Sequence, residues 1–566
     1  MRIVLHVEKK LKSNVQEKII DGELFERIVV AGAYNLKAHI DTVNDLNVFP
    51  IPDGDTGDNM YMTINGGLAG LKSVKENSVG LKAKALADGM LLNARGNSGV
   101  ILSQLFSGLA NGVDGKKTVD IKDFGQALKA GVKQAYASVV KPVEGTMLTV
   151  AREAADYGVT HSDEKVTLGA FFDGFVNEMK NSLDNTPNLL AVLKEAGVID
   201  SGGAGLLYIT EGMKSAVEGN EMAVTEIEED NGKTVDFSKF TEDSEMEFGY
   251  CTEFLLQLQN SKVNAKEFDI APIVEYLNTL GDSIVAFKTG TVVKVHVHTM
   301  TPSKVLEFCQ QYGEFLTIKI ENMTLQHNET SEKTVTEKPK KKKVNRTKFG
   351  VVTVATGKGL IDTFTEFGAD VVIDGGQGKN PSIERFIEAF DDANADHIFV
   401  LPNNSNIIMA AKQAAEFYSN SEIHVIETKN FGQAYSILSM LDFSADDPSV
   451  IAENMRLDMA NVVTGMITNS IRNANIDGIE IEKGQYIGFT DKVMKVATND
   501  KVSAYTALSE KLNASDKEFM IAVYGSEVNE MEKQAVRDMV GEKYSNLEFY
   551  EIDGGQEVYD FIIILE

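Results

Sequence analysis

Tryptophan is absent, and cysteine occurs only at Cys251 and Cys309. Two thiols cannot build a disulfide framework, so a reducing, cytoplasmic setting is expected. Positive charge is scarce: 55 lysines and arginines stand against 84 aspartates and glutamates, a net charge of −29. That balance argues against nucleic acid or an anionic membrane as the main partner. Long apolar runs are also lacking, and none approaches the ~20 residues of a membrane helix. The Ile3-Val4-Leu5 run ahead of the first lysines is too brief for a signal peptide. No Walker A loop occurs, since Gly232-Lys233-Thr234 has no upstream glycine and lies in a polar stretch. What remains is an ordinary globular composition, 43% hydrophobic and 25% charged over 566 residues, long enough for about three or four domains.

The most informative stretch is Leu46-Asn47-Val48-Phe49-Pro50-Ile51-Pro52-Asp53-Gly54-Asp55-Thr56-Gly57-Asp58-Asn59-Met60. Its prolines stop any helix and hold the backbone extended. Alternate residues of an extended segment share a face, so Asp53 and Asp55 are expected to aim at one spot. Gly54 and Gly57 let backbone N–H groups approach a bulky anion. Hard oxygen ligands on such a turn suit Mg²⁺ with a nucleotide phosphate. Asp-Gly-Asp alone also suits a plain surface turn; the length of the whole stretch favours the binding loop.

Residues 15–215 carry apolar stripes at helical spacing: Leu24, Ile28 and Ala31; Leu36, Ile40 and Val43; Ile101, Leu105 and Leu109; Phe124, Leu128 and Val132; Leu168, Phe172, Phe175 and Met179. An all-α bundle or barrel follows. Small residues mark several joints: Asn93-Ala94-Arg95-Gly96-Asn97-Ser98-Gly99, Glu144-Gly145-Thr146-Met147, and Asp200-Ser201-Gly202-Gly203-Ala204-Gly205. Each alone is an ordinary cap. Together with the aspartate loop they are expected to converge on one end of the bundle and present N–H and hydroxyl donors to phosphate.

The stretch from Asn47 to Gly57, with Asn59-Met60 after it, resembles the ATP-binding loop of the dihydroxyacetone-kinase L-subunit family, and within it the ATP-binding A subunits of bacterial fatty acid kinases. The resemblance covers this whole domain. It implies that Asp53 and Asp55 hold two Mg²⁺ ions bridging ATP phosphates, with Asn47 near the place of a third aspartate. It implies nucleotide contacts for Thr56, Gly57 and Asn59, for Ser98 and Gly99, and for Thr146 and Met147. Asp200, Ser201 and Gly202 stand where dihydroxyacetone kinases read Asp-Pro-Gly, and serine there resembles the fatty-acid-kinase branch.

An acidic linker is expected at 216–244. Residues 245–330 then read as βαββαβ, a ferredoxin-like α+β unit. In that fold the first and third strands are neighbours, so Cys251 on one can meet His296 and His298 on the other. Two imidazoles and a thiolate make a three-ligand Zn²⁺ site, with Glu253 as a further oxygen; two histidines on a sheet face beside an inert cysteine is the plainer alternative. Fatty acid kinase A subunits look similar here. Cys309, on a helix, is expected in the core. A lysine-rich linker at 331–348 precedes a last part, 349–566, that alternates strands and helices as parallel α/β from Val351 to Ile426 and adds strand-helix-strand from Phe519 to the Ile562-Ile563-Ile564-Leu565 run. This last part resembles the DegV-type fatty-acid-binding fold, with Gly375-Gly376-Gln377-Gly378 and Leu401-Pro402-Asn403-Asn404-Ser405-Asn406 at strand ends, where ligands of such sheets sit.

The resemblance implies an ATP- and Mg²⁺-dependent kinase whose acceptor is the carboxylate of a fatty acid brought by a separate DegV-type binding protein, with acyl phosphate as product for phospholipid synthesis. A homodimer follows from fold analogy. Two alternatives stand beside it: a kinase of a small hydroxyketone, and a non-catalytic lipid- or metal-binding scaffold.

Overall fold

Apolar residues repeating every third or fourth position give amphipathic helices that must bury one face. Polar residues at their starts fix where they begin. Asp21 accepts from the Leu24 N–H at 2.9 Å and opens α1 (Gly22–Ala38). After a short α2 (Ile40–Asn44), α3 (Thr56–Ser73), α4 (Val79–Leu92) and α5 (Gly96–Gly112) follow. Asp120 caps α6 (Ile121–Ser138), then come α7 (Met147–Thr160), α8 (Leu168–Leu189) opened by Thr167, and α9 (Ala191–Ala196). Asp200 caps α10 (Ser201–Glu218). This computed structural model describes residues 14–47, 54–220, 250–322 and 346–566, apart from single residues at 140, 164, 278, 290 and 492.

The helices enclose one apolar core that includes Phe25, Ile28, Met60, Leu86, Leu102, Phe171 and Phe172. Each such side chain contributes about 1.5–3 kcal/mol on burial. The N-terminal region is thus helical, with one short strand pair, Ile19–Ile20 against Val119–Asp120. Ala216 and Val217 are buried in the last turn of α10, inside the stretch expected to be linker. The helix continues because these residues complete its apolar face.

Two compact units emerge: residues 1–222 with 346–566, and residues 223–345. The second contains β1 (Tyr250–Leu258), α11 (Ala271–Leu277), β2 (Gly281–Thr289), β3 (Val292–Thr299), α12 (Pro302–Gln310) and β4 (Gly313–Asn322). Its antiparallel sheet has the order β2-β3-β1-β4, which makes the first and third strands neighbours. Phe254, Leu256, Val293, Val295 and Cys309 lie in its core.

In the first unit, β5 (Thr347–Ala355), β6 (Val371–Asp374), β7 (Ala395–Leu401) and β8 (Glu422–Val425) form a parallel sheet in the order β8-β7-β5-β6. Between them run α13 (Lys358–Glu366), α14 (Ile383–Ala393) and α15 (Ile408–Phe417), with α16 (Phe431–Ser439) and α17 (Pro448–Asn461) after β8. Purely parallel alternation ends there. Strands β9 (Val463–Asn469), β10 (Tyr486–Thr490), β11 (Val493–Thr498), β12 (Phe519–Tyr524), β13 (Glu548–Ile552) and β14 (Phe561–Leu565) build a second, mostly antiparallel sheet in the order β11-β10-β9-β14-β12-β13. Helices α18 (Lys501–Lys511) and α19 (Glu530–Lys543) accompany it. A chain reversal at Asp477-Gly478, both at positive φ, pairs Ala474–Ile476 with Ile479–Ile481. Asp-Gly is a strong hairpin signal.

Candidate functional site

The starts of α3, α5, α7 and α10 meet at one cleft. It is lined by Asp55, Thr56 and Asn59, by Asn97 and Ser98, by Thr146 and Met147, and by Asp200, Ser201 and Gly202. Every helix start leaves backbone N–H groups without helical acceptors and carries partial positive charge. Four of them around one space make a receptor for a group with several negative oxygens.

Asp55 stands immediately before α3, yet its carboxylate makes no cap bond to that helix. It is 8% exposed and accepts a hydrogen bond from Asn380 Nδ2 at 2.7 Å. Asn44 secures the helix start, its Oδ1 accepting from the Gly57 N–H at 2.7 Å. Thr56 Oγ1 donates to Asn47 Oδ1 at 2.8 Å, and Ser201 Oγ reaches the same oxygen at 3.3 Å. Asn47 therefore joins the aspartate loop to α10. Asp53 lies outside the described residues.

Close backbone approach explains the glycines. A Cβ on Gly57 would meet the Ile40 carbonyl at 2.6 Å, and one on Gly99 would meet Thr63 Oγ1 at 2.3 Å. A Cβ on Gly202 would stand 3.2 Å from Met147 Cβ, so the starts of α7 and α10 touch. Ahead of α7, the Glu144 carboxylate accepts from Thr149 Oγ1 at 2.7 Å and from Arg152 at 3.0 Å. The Thr149 hydroxyl, with the Arg152 guanidinium and Tyr136 hydroxyl, holds that carboxyl below its usual range. Asp200 Oδ2 accepts from the Gly203 N–H at 2.7 Å. Burial still pushes the Asp200 carboxyl up to about 6, against the pull of the Gly203 and Met147 N–H groups.

The cleft's donors are hard oxygens: the carboxylates of Asp55 and Asp200 and the hydroxyls of Thr56, Ser98, Thr146 and Ser201. Among the lining residues described there is no thiol or imidazole. This donor set fits Mg²⁺ and not a soft metal.

The α/β part contributes residues that no local pattern in the sequence assigns to this cleft. Asn406 lines it, and Asn380 reaches Asp55. The Asn-rich strand-end loop is visible in the sequence, but as a ligand site of its own sheet. In the middle unit, Cys251 pairs with His298 and Glu253 with His296 across β1 and β3. The side chains of Cys251, His296 and His298 lie outside the described part. Cys309 is fully buried, and burial raises its thiol to about 12. Among the described residues one other group has the makings of a metal site: His397, Glu422 and His424 on β7 and β8, with nitrogen–oxygen separations of 3.3 and 3.7 Å. The Glu422 carboxylate is largely exposed and the positive charge of Arg456 acts on His424, both unfavourable to a bound cation.

Three family models match the chain in succession: DAK2 domain at 50–215, the FakA-like middle domain (fatty acid kinase, A-subunit-like) at 247–330, and the FakA-like C-terminal domain at 350–566. "Protein YloV" of Bacillus subtilis (strain 168) is 38% identical over 562 residues, covering 97% of this chain and 100% of that protein. The chain belongs to the FakA-like family. Among solved structures it is similar to DegV, a fatty acid binding protein from Bacillus subtilis, at 14% identity and TM-score 0.30, over 39% of this chain and 99% of that one. It is also similar to the dihydroxyacetone kinase of C. freundii solved with AMP-PNP and Mg²⁺, at 16% identity and TM-score 0.28, over 36% and 35%. As a FakA-like protein it carries kinase-like domains, with the four-helix cleft inside the DAK2 match apart from Asn406. Among the described residues no helix is long and apolar enough to cross a membrane.

Proposed function

We propose that this chain is an ATP-dependent kinase that phosphorylates the carboxylate of a fatty acid presented by a separate fatty-acid-binding protein. The observation that carries this reading is the convergence of four helix starts on a cleft edged by the Asp55 carboxylate. The triphosphate lies against the N–H groups of α3, α5, α7 and α10, with the hydroxyls of Ser98, Thr146 and Ser201 as further donors. Asp53 and Asp55 hold Mg²⁺, which when bound would neutralise charge on the phosphates during transfer. Gly57, Gly99 and Gly202 allow the backbone to come close, and Asn47, Thr56 and Asn59 shape the loop.

A fatty acid carboxyl has a pKa of about 4.3, by analogy with glutamate, and is ionised at neutral pH. One of its oxygens forms the new bond to the γ-phosphorus while the bond from that phosphorus to the β–γ bridging oxygen breaks. Acyl phosphate and ADP result, and no general base is required. The chain's own work is therefore alignment and charge stabilisation. The acceptor enters from the exposed side of the cleft, carried by a partner that supplies acyl-chain selectivity.

The middle unit is read as a Zn²⁺-holding domain through Cys251, His296 and His298. Its support is the backbone pairing of Cys251 with His298 on adjacent strands. The α/β domain serves docking or homodimerisation. Incubating the protein with ATP, Mg²⁺ and a fatty acid, with and without a DegV-type binding protein, tests the central claim. Acyl phosphate is expected only when the binding protein is present. Phosphorylation of dihydroxyacetone instead would establish the small-hydroxyketone reading, and failure to bind ATP would leave the scaffold.

A further inference from the structure

We infer that the C-terminal α/β domain holds the Asp55 carboxylate in place, with Asn380 acting as its positioning residue. This rests on the reading of Asp55 as a Mg²⁺ ligand. Asn380 is 3% exposed, and it donates from Nδ2 to Asp55 Oδ2 at 2.7 Å across 325 residues of sequence. The donor must be the amide nitrogen, because an amide oxygen would repel the carboxylate. Its other end, Oδ1, is buried and has no hydrogen-bond partner among the described residues. A buried acceptor left open beside a carboxylate costs stability, and it is available to a water in the shell of a bound cation.

The placement of Asn380 is built, not incidental. Just before it, Gly376 and Lys379 exchange backbone hydrogen bonds at 3.1 Å in a tight reversal. Asn404 Nδ2 donates to Gln377 Oε1 at 2.8 Å, tying that reversal to the loop that brings Asn406 to the cleft. Just after it, Ser382 forms a bridge with Arg95, and the Ile383 N–H donates to the Ala94 carbonyl at 3.3 Å. Those partners lead directly into Gly96 at the start of α5. The same domain also grips the loop's other end, where Arg472 Nη1 donates to the Asp45 carbonyl at 2.8 Å. Asp45 and Asp55 are thus both held by one domain. A carboxylate whose second oxygen is fixed by an amide presents its first oxygen in a single direction, the usual way outer partners tune a metal ligand.

The test uses the full chain and Mn²⁺ binding in the presence of ADP, followed by electron paramagnetic resonance, beside steady-state kinetics. Asn380→Ala is expected to weaken Mn²⁺ binding about tenfold or more and to raise the Mg²⁺ concentration needed for half-maximal rate. Asp120→Ala, which removes the cap of α6 away from the cleft, is expected to leave Mn²⁺ affinity at the wild-type value. Wild-type affinity in Asn380→Ala, with affinity lost in Asp55→Asn, overturns the inference and spares the Mg²⁺ reading. Wild-type affinity in Asp55→Asn overturns that reading and the inference with it. Should Asn380→Ala not fold, Asn380→Asp takes its place: it keeps the size of the side chain and replaces the donor to Asp55 with an acceptor, so Mn²⁺ affinity is expected to fall about tenfold or more. Mn²⁺ affinity at the wild-type value in that variant overturns the inference.

Discussion

Asp55 alone of the described cleft residues joins a buried carboxylate to a partner from the other end of the chain. Asp55→Asn keeps its shape and removes its charge. We expect phosphoryl transfer to fall about 100-fold or more, in the range of losses seen when transition-state electrostatics are removed, with melting temperature little changed. A phosphorylation assay beside thermal melting checks both halves. Asp200 gives a second prediction. Its folded pKa is raised to about 6 from 3.8 by burial. The folded state therefore binds the proton more tightly than the unfolded chain. The stabilisation is complete below pH 3.8 and is lost as pH rises through 6. Asparagine caps equally well and cannot ionise. The melting temperature of Asp200→Asn relative to wild type should thus climb from pH 4 to pH 7 and then level off. A gap independent of pH would show that the carboxyl is not strained. Both aspartates are legible in the sequence from their glycine neighbours; the pKa of Asp200 is not, because burial depends on Met147 and the packing of α7 against α10.

At the element scale, the cleft depends on how closely helices approach. Gly99 sits in α5, where alanine would ordinarily gain about 1 kcal/mol of helix propensity. Here its Cβ would lie 2.3 Å from Thr63 Oγ1, and Thr63 is fully buried on α3. Overpacking costs about 1–3 kcal/mol, so the steric effect wins and Gly99→Ala should lower stability. Adding Thr63→Ala should recover part of the loss, which urea denaturation of the single and double variants would read. No such recovery would place the strain elsewhere. Helix spans are accessible from periodicity and caps, as Asp21, Asp120, Thr167 and Asp200 show. The second sheet is less so: β9 carries Gly465 and Thr464, and strands buried on both faces lose the alternation that marks a strand. Asp477-Gly478 signals only the small hairpin beside it, which forms a two-stranded sheet of its own.

On the scale of the whole molecule, the helical part and the α/β part share one compact unit, while residues 223–345 form another. The seam within the first unit buries polar groups, including Asp55, Asn380 and Ser382, and the Arg95 guanidinium there, its pKa lowered by burial, feels the opposing charge of Glu384. Parting these surfaces would break the Asn380–Asp55 and Ile383–Ala94 hydrogen bonds between them. Calorimetry of the full chain should therefore show two transitions, a large one for the helical and α/β parts together and a small one for the middle unit. Separate melting of the helical and α/β parts would contradict a structural seam. Local chemistry along the chain is enough to make residues 15–215 helical, to set apart the Asp53–Asn59 stretch and the glycine-marked joints, and to alternate strands with helices downstream. These properties follow from side-chain periodicity, proline and glycine stereochemistry and the chemistry of caps. The gathering of four helix starts at one cleft, and the reach of Asn380 and Asn406 to it from the far end of the chain, emerge from the packed fold alone. Contacts across hundreds of residues leave no local pattern, because they depend on how buried surfaces fit and not on the order of neighbours.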